Sequence, residues 1–201
     1  MPKPLLKIGP LTTLQDARSS AAVGFDLLTF SLERGNDKKL SVSLIWNMIQ
    51  WLSGPAIALE MNRFSLEELQ DVKQGFDFQY LSMPAKEWGT DLFDHAERLI
   101  LRADQDMRPE ELEAIASESP SPHLWFELEL SKDTFLQDYQ AILPKSFLHF
   151  DELPQATALF SQQLPLGGFS LKEEAEEEAG VLDYEAIDLW LETFNEEYGE
   201  E

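Results

Sequence analysis

A single-domain α/β barrel is the fold class this sequence predicts, and three observations carry that expectation. Short apolar runs alternate with amphipathic helical stretches eight times over. Such alternation implies parallel strands joined by right-handed crossovers. The chain's 201 residues, 43% of them hydrophobic, suffice for one sizeable core and are short for two full domains. Eight strand-helix units in a row close a ring, so the expectation is one (βα)8 TIM barrel over residues 1–201. The runner-up, an open doubly wound sheet, needs a glycine-rich phosphate turn after its first strand, and Gly9-Pro10-Leu11 does not spell G-x-G-x-x-G.

The elements follow in order. Leu5 to Gly9 reads as the first strand, Leu14 to Val23 as a helix, Asp26 to Leu32 as a strand and Val42 to Leu52 as a helix. Pro55 to Glu60 is the third strand. Ser65 then caps a helix over Leu66 to Gln74, with Glu68 three residues on in the position of a capping box. Phe78 to Ser82 is the fourth strand, followed by a short helix from Lys86 to Ala96, a strand over Leu99 to Ala103 and a helix with Pro109 in its first turn running to Ser117. Leu124 to Leu130, Ser146 to Phe150 and Phe169 to Leu171 complete the strands, with helices over Thr134 to Leu143 and Gln155 to Gln163 between them. A last helix, Tyr184 to Phe194, aligns Ile187, Leu191 and Phe194 on one stripe beside Trp190. Trp46, Ile49 and Leu52, with Phe135, Tyr139 and Ile142, are expected to pack helices onto the barrel.

Charge narrows the function. The net charge of -23, from 38 acidic and 15 basic residues, repels polyanions and favours cations or basic partners, so no nucleic-acid ligand is expected. Thirteen of the acidic residues follow Lys172, after which there is no Lys or Arg. They include the segment 173–178 and the tail 196–201, a solvated acidic face or a docking surface for a basic protein partner. Without cysteine there is no disulfide, thiolate metal site or cysteine nucleophile. No apolar run approaches the roughly 20 residues a bilayer span needs, and Met1 to Pro10 lacks the long apolar segment of a secretory signal. The expectation is a cytoplasmic protein with no membrane partner.

The opening, Lys7-Ile8-Gly9-Pro10 with Thr12-Thr13 and Asp16-Ala17 after it, resembles the first strand and helix of the phosphoribosylanthranilate isomerase family, where Lys-Ile-Cys-Gly is followed by Thr and Asp-Ala. Gly24, Asp26 and Phe30 are similar to that family's Gly-Ala-Asp and second strand. Lys38-Lys39-Leu40-Ser41 resembles its entry to the second helix, and Gly180-Val181-Leu182-Asp183-Tyr184 the Gly-Val-Lys-Asp of its last. The resemblance implies a compact barrel of tryptophan biosynthesis that performs an Amadori rearrangement, a ketol-isomerase step with a cysteine base at the end of strand one and an acid at the end of strand six. Gly9 stands where that cysteine would be, and loss of a positioned general base costs about 10² to 10⁴ in rate.

For the acid, strand six offers Glu127 and Glu129, which strand alternation sends to the same side as Trp125. That side is either the lumen, where buried carboxylates with raised pKa would mark a site, or the outer face, where they are solvated charge. The family's phosphate glycines are absent too: Asp151-Glu152-Leu153-Pro154 follows strand seven, and Lys172 is followed by Glu173, Glu174 and Glu176 to Glu178 after strand eight. Gly167-Gly168 precedes the last strand and belongs at the opposite mouth. The functional expectation is therefore an isomerase-like barrel that has lost the reaction and binds a small molecule at its mouth, a pseudoenzyme. The alternative is a divergent enzyme with a relocated carboxylate.

Glu127, Glu129 and Asp151 are the catalytic candidates; Lys7, Lys38, Glu60, Arg102 and His149 are the binding candidates. The resemblance points Lys7 into the lumen, where Glu60 or Glu127 would pair with it. No cofactor and no metal are expected, since His95, His123 and His149 form no His-x-x-x-His pair. The competing arrangement is a divalent cation held by His149, Asp151, Glu60, Asp104 and Glu127 at the mouth.

Overall fold

Period-two alternation of apolar residues closes into the expected ring. The computed structural model describes residues 3–36, 38–89, 96–104, 106–118, 123–129, 136–150, 157, 159–160, 164–172 and 184–199. Eight strands, β1 (Leu5–Ile8), β2 (Leu27–Ser31), β3 (Ala56–Glu60), β4 (Tyr80–Pro84), β5 (Arg98–Ala103), β6 (Leu124–Glu129), β7 (Ser146–Phe150) and β8 (Gly168–Leu171), pair in parallel in sequence order. β8 then pairs with β1, from Leu5 opposite Gly168 to Ile8 opposite Leu171, and the barrel is closed. Five α-helices lie among the described residues: α1 (Leu14–Val23), α2 (Val42–Ile49), α3 (Leu66–Gly75), α4 (Pro109–Glu118) and α5 (Tyr184–Tyr198).

Local chemistry sets the helix ends. Thr13 caps α1 by accepting from the Asp16 amide, and Gly24 ends it at φ 103°, a left-handed conformation that favours glycine. Ser65 and Glu68 form the predicted capping box at the start of α3. Asp16 is buried and accepts a hydrogen bond from the Tyr184 hydroxyl at 2.6 Å, which ties the first helix to the last.

Alternate strand residues build two cores. The outward set, including Ile8, Leu28, Phe30, Leu59, Leu101, Phe126, Leu148 and Phe169, packs under the helices against Ile45, Leu69, Leu112 and Phe194. The inward set at the strand N-termini, Leu27, Ala58, Tyr80, Ile100 and Phe147, forms a separate lumen cluster with Leu5, Ala56 and Trp125 against it. Gly168 belongs to this lower end: a Cβ there would lie 2.4 Å from the Leu5 carbonyl and 2.7 Å from the Phe147 ring. Gly167 accepts from the Leu5 amide at 2.9 Å, so the pair sits at the N-terminal mouth as expected.

Several expectations are corrected. The helix predicted over Thr134 to Leu143 is two short 3-10 turns, Leu136–Tyr139 and Leu143–Lys145. Pro144 disfavours the α region at Leu143, which accounts for the end of the segment and not for the turn at Leu136–Tyr139. The helix predicted from Lys86 is a 3-10 turn over Ala85–Glu87 that ends at an extended Trp88; residues 90–95, His95 included, lie outside the described residues. β4 starts two residues later than predicted, at Tyr80. Gln79, just before it, donates its amide to the Ile57 carbonyl, and its side chain accepts from the Ile57 amide. α5 runs four residues past Phe194, because Tyr198 packs against the rings of Phe160, Phe169 and Phe194. Trp46 is not wedged against the barrel: it is 42% exposed and stacks on Phe76, while Ile45 and Met48 are the buried residues of α2. Phe135 lies outside the described residues, as does most of the helix predicted over Gln155 to Gln163, although Thr157, Leu159 and Phe160 are helical.

Candidate functional site

The strands' C-terminal ends carry a different inward set. Above the apolar cluster, the lumen positions are Lys7 on β1, Thr29 on β2, Glu60 on β3, Ser82 on β4, Arg102 on β5, Glu127 on β6, His149 on β7 and Ser170 on β8. Strand register aligns them: Arg102 is opposite Glu127, His149 opposite Ser170, and Lys7 opposite Ser170. The parity left open for β6 is thus settled. Glu127 faces the lumen, while Leu124, Phe126 and Leu128 lie in the outer core.

Lys7 is 1% exposed, and its ammonium donates to Glu127 Oε1 at 2.8 Å and to Ser170 Oγ at 3.2 Å, with Glu60 Oε1 at 3.9 Å. The Ser170 hydroxyl donates to the same Glu127 oxygen, and His149 Nδ1 lies 3.3 Å from it. A second group of charges forms the adjoining wall. Arg102 pairs with Glu33, and its Nη1 lies 3.7 Å from Glu60 Oε2. Lys7, Glu33, Glu60, Arg102, Glu127 and His149 line a cavity of about 680 Å³ at the C-terminal mouth, together with Gly9, Asn36, Lys38, Asn62, Asp104, Glu129 and Lys172.

The two buried glutamates behave oppositely. Burial raises the Glu127 carboxyl, but Lys7 and His149 more than reverse this and hold it well below the usual carboxylate range. For Glu60, burial dominates: Lys7 and Arg102 lower its pKa, Glu127 and Glu33 raise it, and the result lies above the ordinary value. Glu127 has Lys7 closer, at 2.8 Å against 3.9 Å for Glu60, and has His149 beside it as well. Arg102 is pushed down by burial and up by Glu60 and Glu33, with a net rise that keeps it charged.

The end of β1 is shaped for glycine alone. Gly9 has φ 135°, and a Cβ on it would lie 2.6 Å from the Thr29 carbonyl oxygen and 2.9 Å from Thr29 Cβ. No side chain fits there without a shift of backbone.

Of the residues predicted for the site, Lys7, Lys38, Glu60, Arg102, Glu127, Glu129 and His149 all line this one cavity, with Glu129 exposed at the rim. Asp151 lies outside the described residues, as do 173–178 with their acidic run, 180–183 and Glu200-Glu201. Asp104 pairs with Lys86 at 2.6 Å, and among the described residues no group of three or more His, Asp or Glu side chains is arranged to hold a metal. Sequence reasoning missed Glu33 and Ser170. Glu33 sits two residues beyond β2, where no periodic signal applies. Ser170 shares the inward parity of Lys7 and becomes visible only once β8 is paired with β1.

No family model matches the sequence, and no curated protein does. Solved structures do match in shape. A phosphoribosyl anthranilate isomerase in complex with reduced 1-(o-carboxyphenylamino)-1-deoxyribulose 5-phosphate superposes with a TM-score of 0.78 at 14% identity, over 96% of this chain and 99% of that one. The chain has the fold of the phosphoribosylanthranilate isomerases. The isomerase from Thermus thermophilus agrees, with a TM-score of 0.74 at 17% identity over 96% and 98% of the two chains. A phospho-2-dehydro-3-deoxyheptonate aldolase from Thermotoga maritima also superposes, with a TM-score of 0.70 at 10% identity over 97% of this chain and 68% of that one, so the likeness is one of architecture. Against the isomerase pattern that the opening resembles, Gly9 stands at the base position and Glu127 on the strand of the acid.

Proposed function

We propose that the chain is a small-molecule-binding barrel that keeps the isomerase frame without the isomerase reaction. The end of β1 carries this reading: Gly9 adopts a conformation, against Thr29, in which a base-bearing side chain has no room. The acid side points the same way. Glu127 is held as a carboxylate by Lys7 and His149, and a carboxylate has no proton to give to a leaving group. A cavity of about 680 Å³ at the mouth is large enough for a small ligand. In a tryptophan-requiring strain that lacks the isomerase, the chain expressed as soluble protein should give no growth without tryptophan; growth would overturn the reading.

One observation favours a second reading, a divergent enzyme with a relocated carboxylate. Glu60 combines a pKa raised by burial with a place on the cavity wall, the pairing expected of a carboxyl that exchanges a proton with a ligand. Under that reading, a turnover found for the wild type would vanish in Glu60→Gln and persist in Glu129→Gln.

A further inference from the structure

We propose that helix α2 is the contact face of a symmetric dimer, packed against the same helix of a second copy of this chain. The face lies on the outside of the barrel, and none of its residues lines the cavity at the mouth.

Single exposed apolar residues are ordinary on a folded protein, but α2 concentrates them. Of the five large apolar side chains that stand out into solvent among the described residues, three belong to α2 and the turn after it: Leu44 at 43%, Trp46 at 42% and Trp51 at 70% exposure. Leu44 and Trp51, seven residues apart, share one flank of the helix. Trp46 takes the other flank, where it stacks on Phe76 with ring centroids 6.4 Å apart. Between the flanks run Ser43, Asn47 and Gln50, all exposed and all uncharged. The platform is preformed by close packing on α3: a Cβ on Gly75 would lie 3.3 Å from Val42.

Charge decides what can cover this face. Leu40 to Leu59 is the longest run of the sequence without a charged residue, in a chain of net charge -23. Other helices differ: α3 exposes Glu67, Asp71 and Lys73, and α5 exposes Glu185, Asp188 and Glu192. A basic protein would be drawn to such acids and finds no counter-charge on α2, and a nucleic acid or anionic membrane is repelled by the molecule as a whole. Two copies that met through their acidic helices would set like charges together, whereas α2 against α2 keeps those helices apart. On the side away from α3, α1 exposes one charge, Arg18, a cation suited to an acidic neighbour. Leu44, Trp46 and Trp51 expose roughly 350 Å² of side chain per copy, near half of the ~800 Å² each partner brings to a standard interface. Ser43, Asn47, Gln50, Ser53 and Gly54 extend the area without adding charge, and a closed two-fold pairing is the commonest form of self-association.

Such a pair has a characteristic response to salt. Association of two molecules of charge -23 is opposed by their mutual repulsion, which ions screen, while the apolar contact at α2 is not weakened by them. Dimerisation should therefore strengthen as ionic strength rises, the reverse of an acidic protein pairing with a basic one.

The test is sedimentation equilibrium on the full chain, at concentrations up to about 100 μM, in low salt and in about 0.5 M sodium chloride. We expect a species of twice the chain mass, with a dissociation constant severalfold lower at the higher salt. Trp51→Ser removes the exposed indole, and Asn47→Glu sets a charge between the two flanks. Each variant, shown folded by its thermal melt, should raise the dissociation constant about tenfold or more. Leu189→Ser, at the exposed apolar residue of α5, should leave it within about twofold. A chain that stays monomeric at the highest concentration and salt overturns the inference, and if that monomer pellets with phosphatidylcholine vesicles the face belongs to a membrane surface instead. A dimer indifferent to both α2 substitutions, or one that weakens as salt rises, overturns it as well.

Discussion

The two ends of the lumen are built from the same strands and do opposite things. At the lower end Leu27, Ala58, Tyr80, Ile100 and Phe147 are apolar and nearly inaccessible, and glycine at 168 lets β8 approach Leu5 and Phe147. Two residues further along the same inward positions stand Lys7, Thr29, Glu60, Arg102, Glu127, His149 and Ser170. Burial extends into the upper level, with Phe147 at 0% and Lys7 at 1%, although Arg102 and His149 are only partly buried. What differs is how burial acts: below it drives folding, and above it has to be offset group by group through ion pairs and hydrogen bonds. A lumen filled with apolar side chains throughout would be the more stable design, so the polar upper level is the part of the barrel that the proposed ligand site accounts for.

Substitutions at each level sharpen the contrast. The largest effect belongs below: Phe147→Ala empties the centre of the apolar cluster, and chemical denaturation should show a loss of about 3–5 kcal/mol that varies little with pH. Glu127→Ala strands Lys7 without its nearest counter-ion and should cost about 3 kcal/mol at pH 7. Its signature is in the pH profile. Because folding depresses the Glu127 pKa, its contribution is present above the ordinary value of 4.5 and is lost as pH falls through the folded value, so the gap between variant and wild type closes in acid.

Gly9→Cys tests the end of β1. A Cβ 2.6 Å from the Thr29 carbonyl, on a residue at φ 135°, should cost about 2–4 kcal/mol by thermal or chemical unfolding, and thiol chemistry should not follow from replacing the side chain alone. Glu60→Gln should change stability by less than about 1 kcal/mol near pH 4.5. Folding raises the Glu60 pKa, so the wild type loses stability as pH rises from 4.5 through the folded value, and the variant should gain on it over that range. The smallest effect is expected for Glu129→Gln at the exposed rim, within about 0.5 kcal/mol at any pH.

The sequence carried the ring and most of its parts because those signals are local. Ser65 with Glu68 fixes a helix start through bonds within a few residues, and Pro109 marks another through its preset backbone angle. Where tertiary contacts decide, the reading fell short. Tyr198 extends α5 by packing on Phe160 and Phe169, far away in sequence, and the helical rhythm before Pro144 gives way to 3-10 turns that no local signal marks. The site shows the same division. Which residue types gather at the strand ends was legible, whereas the inward parity of Glu127, the reach of Glu33 to Arg102 and the place of Ser170 beside Lys7 emerge only when the barrel closes and sets the register. Gly9 was legible as a missing thiol; that its backbone leaves no space for one was not.

The most direct measurement is turnover of phosphoribosylanthranilate by the purified wild-type chain at high protein concentration, followed against the uncatalysed background. With no base at the end of β1 and Glu127 held ionised, the account predicts a rate indistinguishable from background at every pH from 5 to 9. A rate clearly above background that is lost in Glu127→Gln or Glu60→Gln would contradict it.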